Sequence, residues 1–110
     1  DILVAEAGAS PLEPYNGAAA MNVLEDNIKM LVLCASDPYA VMGVQHAFGR
    51  APDLVCGPAA NTQAAIVLVE KLCGVRALNL LRRSARPELN QILDEQLAFS
   101  AKTQQSVRQA

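Results

Sequence analysis

The chain has 110 residues and a mass of 11.7 kDa, the size of one domain, which leaves no room for a catalytic domain beside a regulatory one. At 52% hydrophobic and 18% charged it is too apolar for a disordered chain, and a chain of this length buries roughly two-thirds of its unfolded surface. No run approaches the ~20 apolar residues of a membrane span, and a net charge of −2 with a pI near 5.2 gives no electrostatic ground for nucleic acid or anionic lipid as a partner.

The first element is Ile2 to Ala5, a continuous apolar run ending at Glu6-Ala7-Gly8. Apolarity on both faces is the mark of a buried parallel strand. A short helix over 17–25 follows, then a second strand over 28–35 (IKMLVLCA). Ser36-Asp37-Pro38 offers a side-chain N-cap with proline at the first helical position, and the helix stops at Gly49. A third strand covers 53–56 (DLVC). Asn61-Thr62 opens the next helix, which runs to Gly74 and is apolar on most sides, so that it must be deeply packed or hidden by a partner. Residues 75–81 (VRALNLL) form a weaker fourth strand. Pro87 opens a last helix to about residue 106, with Leu89, Ile92, Leu93, Gln96 and Phe99 on its apolar face.

Strands alternating with helices of this length specify βαβ units, and right-handed crossovers turn these into a parallel sheet. The expected architecture is a single α/β domain over 1–110, with three layers: a mainly parallel sheet of about four strands and helices on both faces. The βαβ core spans 1–81 and the C-terminal helix 87–106. Beginning at Asp1 with an immediate strand, the chain reads as one cut from a longer protein, whereas the polar tail 101–110 reads as a natural end or a frayed helix. Cys34, Cys56 and Cys73 are an odd set without C-x-x-C spacing, which reads as buried reduced thiols in a cytosolic, cytoplasmic protein. His46, the single histidine, has no second ligand at metal spacing and reads as an ordinary helix residue.

Open parallel sheets bind ligands at the carboxyl ends of their strands, where loops present unpaired helix N–H groups. Three loops would meet there: Glu6 to Gly17, Ser36-Asp37, and Gly57 to Thr62. The first carries two carboxylates, two prolines and a Tyr-Asn-Gly turn, dense for a simple connector. An acid directly after an apolar strand suits a magnesium-nucleotide site, because a hard anion fixed by the sheet holds Mg²⁺ directly or through its water shell. Glu6 is that residue, and a solvated loop carboxylate is the equal alternative.

DILVAEAGASP resembles the second acidic motif of P-loop NTPases of the class of signal-recognition GTPases, MinD-like ATPases and dethiobiotin synthetase. The order that follows, IKMLVLCAS, a helix, PDLVCG and a helix ending LCGV, is similar to the carboxyl-terminal half of those domains over about residues 1–81. The resemblance implies that Glu6 is the Mg²⁺-linked acid, that Gly8 lies near the terminal phosphate of ATP or GTP, and that Asp37 lies near the base-reading position. The chain has no G-x-x-x-x-G-K-[ST] and no Asn/Thr-Lys-x-Asp signature. The resemblance therefore implies the rear portion of a nucleotide-binding domain, not competent for hydrolysis alone.

Other constellations fail: there is no G-x-G-x-x-G, no G-x-S-x-G, and one histidine makes a triad untenable. Cys56, at a strand end before a helix, reads as a packed thiol ahead of a reactive one. Arg82, Arg83 and Arg86 cluster ahead of the last helix, either touching a phosphate or an acidic surface or forming a solvated face. Three functions follow from these readings. One is a nucleotide-binding fragment whose ligand edge is lined by Glu6, Gly8, Ser10, Asp37, Asn61 and Thr62. Another is a non-catalytic module that forms a homo-oligomer or joins another subunit through the apolar helix or the last one. The third is a Rossmann-like domain that binds an anionic metabolite at the Asn61-Thr62 helix start.

Overall fold

A computed structural model describes residues 1–7 and 16–109, with side chains through Ala98. Four α-helices and two strands follow one another as α1 (Gly17–Leu24), β1 (Val32–Cys34), α2 (Pro38–Phe48), β2 (Leu54–Cys56), α3 (Gln63–Cys73) and α4 (Arg86–Gln109). β1 and β2 are parallel, with Val32 opposite Leu54, Leu33 opposite Val55 and Cys34 opposite Cys56. A further parallel bridge joins Val55 to Ala77, held by Val55 N–H donating to Arg76 O at 2.8 Å and Leu78 N–H donating to Val55 O at 3.0 Å.

Among the described residues the expected three-layer sheet of about four strands does not form; the sheet there has two strands. Ile2 to Ala5 makes no ladder among the described residues, and Leu3 and Val4 are each 90% exposed. An apolar run buries itself only where a neighbouring strand offers both a ladder and a surface, and this segment meets neither. The strand expected over 28–35 is reduced to Val32–Cys34, because a 3₁₀ turn at Glu25–Asn27 precedes it and the Ile28 carbonyl accepts from Arg50 Nη2 at 3.3 Å instead of a strand. The strand expected over 75–81 shrinks to the single bridge at Ala77. Asn79 ends it: its Oδ1 accepts from Leu81 N–H at 3.2 Å and its own carbonyl accepts from Arg82 N–H at 3.2 Å, folding the chain into a turn.

The helix ends follow local chemistry. Asp37 Oδ1 accepts from Ala40 N–H at 2.9 Å ahead of Pro38, and Thr62 Oγ1 accepts from Ala65 N–H at 3.1 Å. α2 closes on Gly49, whose N–H donates to Gln45 O, and α3 on Gly74, whose N–H donates to Glu70 O. The two helices are tied by Gln45 Nε2 donating to Cys73 O at 3.1 Å and by the Cys73 thiol donating to Pro38 O at 3.7 Å.

Side chains alternate across the short ladder, and each side builds its own cluster. Val55 and Leu33 pack with Val41 of α2, Val69 of α3 and Ala59, Ala60 and Ala77. Leu54 packs with Leu78 and with Ile92 and Leu89 of α4, joined by Met30. The side chain of Phe99 lies outside the described ones. α1 buries none of its residues. Leu54 is fully buried, so Leu54→Ala should cost about 2–5 kcal/mol, the cost of a large-to-small change that leaves a cavity; urea denaturation at constant m-value measures it.

Candidate functional site

The carboxyl ends of β1 and β2 run directly into the two capped helices. After β2 the chain turns through Gly57, a 3₁₀ turn at Pro58–Ala60 and Asn61 to reach Thr62. Gly57 sits at φ 81° and ψ −164°, a conformation open only to glycine, and a methyl group built on it would stand 2.7 Å from Cys34 Sγ and 3.1 Å from Ala35 O. Ala59 N–H donates to Ala35 O at 3.0 Å, which holds this connector against the end of β1.

A groove of about 250 Å³ lies at the start of α3, lined by Asn61, Thr62, Gln63 and Ile66 on one side and by Leu78, Asn79, Arg82, Ser84, Ala85 and Glu88 on the other. Asn79 builds it: Asn79 Nδ2 donates to Asn61 O at 3.2 Å, drawing the turn after Ala77 against the α3 entrance. α4 begins at Arg86, so the first turns of two helices stand at one groove together with Arg82. In the first turn of α3, Ala65 N–H is taken by Thr62, while the Gln63 and Ala64 N–H groups meet no protein acceptor among the described residues. A second hollow, between Met21, Ile28, Phe48 and Arg50, holds about 20 Å³, the room of one water.

Of the residues expected at the ligand edge, Asn61 and Thr62 line this groove. Asp37 caps α2 and is fully exposed. Its carboxyl is held below its ordinary value of 3.8 by the Ala40 N–H hydrogen bond first and the Ser36 hydroxyl second, so Oδ1 serves the cap and Oδ2 accepts from Ser36. Glu6 stands on the exposed segment 1–7, outside the sheet. Gly8 and Ser10 lie outside the described residues. Among the described residues no group of three or more His, Cys, Asp or Glu side chains gathers as a metal site. Glu6, which no strand positions among the described residues, and Asp37, whose oxygens are engaged by Ala40 and Ser36, do not fit the fixed oxygen donors that a magnesium-nucleotide requires.

No protein-family model, curated protein or solved structure matches this chain. The site therefore stands on its own chemistry. Asn79 is not legible as a groove residue from the sequence, because 75–81 reads as a strand; an asparagine inside an apolar run is the available signal, since asparagine is depleted in strands and favoured in turns. Cys56, half-buried, has its thiol raised to about 11 by burial first and by the neighbouring Cys34 second, which suits the packed reading of that residue on its own. Among the described residues no helix is long and apolar enough to cross a membrane.

A carboxyl whose folded value is depressed contributes stability above its unfolded value, and that contribution is lost as pH falls through the folded one. The Asp37 cap should therefore fade below about pH 4. Asp37→Asn, which keeps a capping oxygen without the charge, should flatten the fall in Tm between about pH 5 and pH 2, measured by thermal denaturation across that range.

Proposed function

We propose that the chain is a non-catalytic α/β module that binds a small anionic metabolite, carrying a phosphate or carboxylate, in the groove between the α3 entrance and the turn at 79–85. The observation that carries this reading is that Arg82 lines the same groove as Thr62, Ser84 and Gln63, whose N–H meets no protein acceptor among the described residues. Unpaired N–H groups at a helix start attract negative charge, and a guanidinium adds a forked set of donors suited to phosphate or carboxylate oxygens. Glu88 on the rim sets a limit on how much charge is welcome. Volume decides the size of the ligand. Sites for drug-sized ligands run from about 300 to 1,000 Å³, and this groove, at 250 Å³, suits one anionic head better than a whole nucleotide. The odd set of three cysteines supports residence in the cytoplasm.

Titration calorimetry and amide NMR with inorganic phosphate, and with ATP and GTP in the presence of Mg²⁺, test the reading. Phosphate should shift the Gln63 and Ala64 amides, and Arg82→Ala should weaken binding by about tenfold or more, as expected for a charged hydrogen bond. Arg82 is exposed, so its loss leaves the fold in place. Absence of heat and of shifts with all three ligands rejects the proposal. Mg²⁺-dependent binding of ATP or GTP that ignores Arg82→Ala returns the function to a nucleotide fragment.

A second reading, self-association, rests on a separate observation: Val67, Leu68 and Leu72 of α3 are 38%, 45% and 50% exposed, although the helix is apolar on most sides. A row of this kind is covered in a lasting assembly. Sedimentation velocity should then show a dimer that Leu68→Glu converts to monomer; a monomer at high concentration in the unaltered chain removes this reading.

A further inference from the structure

The parallel register sets Cys34 directly opposite Cys56 at the carboxyl end of the ladder. Partners on adjacent strands share a face and lie about 4.8 Å apart, inside the range of about 4.4–6.8 Å between Cα atoms across a disulfide. The face is the one that α4 covers over Leu54 through Ile92; on β1 it stays open, with Val32 47% exposed and Cys34 exposed. Gly57 adds an independent constraint, because Cys34 Sγ lies in the space that a Gly57 side chain would fill. The Cys34 sulfur is thus laid over the backbone that follows Cys56 instead of pointing away from its partner.

We propose that Cys34 and Cys56 are a reversible dithiol that a hydroperoxide oxidises to a disulfide between β1 and β2. The roles divide by environment. Cys56 is half-buried and its thiol is raised by burial first and by the neighbouring Cys34 second, so Cys34, open to solvent, is the nucleophile, and Cys56 is the resolving thiol. The Cys34 thiolate attacks the terminal oxygen of the hydroperoxide; an S–O bond forms, the O–O bond breaks, and the departing alkoxide takes a proton to become the alcohol. Cys56 then gives up its proton and its sulfur attacks Cys34 Sγ; the S–S bond forms, the S–O bond breaks, and hydroxide leaves as water. Two thiols are oxidised by two electrons and the peroxide is reduced by the same two. Strand partners in a parallel ladder must move closer for the Cβ separation of about 3.5–4.5 Å in a disulfide, and the strained bond that results is readily reduced again by a low-molecular-weight thiol.

Cys73 is the internal control: part-buried, its thiol raised by burial and bonded to Pro38 O. The chain, fully reduced and then treated with one equivalent of tert-butyl hydroperoxide, should fall from three free thiols to one, lose two hydrogens in intact mass, and give a digest peptide linking Cys34 to Cys56; dithiothreitol should restore all of them. Cys73→Ser should form the same link, and Cys56→Ser should stop at a sulfenic acid on Cys34 that dimedone traps. A link that includes Cys73, a link between two chains, or oxidised Cys34 beside a free Cys56 overturns the proposal. The unaltered chain and Cys73→Ser decide the question even where Cys56→Ser does not fold.

Discussion

Register is set by a reciprocal pair of hydrogen bonds just ahead of the sheet. Leu31 N–H donates to Asp53 Oδ2 at 2.7 Å, while Asp53 N–H donates to Leu31 O at 2.8 Å. A ladder of three residue pairs has little of its own to prevent a slip, and a slip by one residue turns every side chain to the opposite face. Such a slip would move Leu54 away from Ile92 and Leu78, exchange Val55 for a neighbour among the small residues beneath α2 and α3, and part Cys34 from Cys56. The carboxylate of Asp53 acts upon the backbone and thereby determines both clusters.

From that register the ligand edge follows. With β1 and β2 in place, the Gly57–Asn61 connector lies against Ala35, α3 starts where the connector ends, and the chain returns beside β2 only as far as Ala77 before Asn79 turns it toward the α3 entrance. α4 then covers the Leu54 side, with Arg76 and Glu95 paired at 3.1 Å across the exposed surface, a contact worth little in itself. The groove is thus a product of an interrupted strand. Had 75–81 continued as a full strand, Arg82 would have been carried beyond the α3 entrance.

Local chemistry was legible in the sequence, and tertiary partnership was not. Asp37-Pro38, Thr62, Gly49 and Gly74 each act within a few residues, so the helix limits could be read from spacing alone. Ile2 to Ala5 shows the opposite case: apolarity states what a segment would bury, yet whether a neighbour offers a slot depends on residues far away. The Asn61–Asn79 bond spans 18 positions and the Leu31–Asp53 bond 22, beyond any periodic pattern. Of the site, the Asn61-Thr62 helix start and the Arg82 cluster were visible as motifs; that they share a groove depends on the turn at Asn79. The cysteine pairing was invisible for the same reason, since spacing along the chain carries no record of strand alignment.

The Gly57–Ala60 connector differs from an ordinary surface loop. Ala59 and Ala60 are almost wholly enclosed, their methyl groups filling space between β2 and α3, and Ala59 N–H is paired with the end of β1. Surface connections absorb extra residues because solvent satisfies whatever backbone is added. Ala59 and Ala60 have no solvent to draw on, so an extra residue beside them would push apart the elements the connector joins, whereas the exposed stretch Glu25–Asn27 has room for an added residue. Variation in chain length among any descendants of this protein would accumulate ahead of β1 and leave the passage from β2 to α3 at constant length.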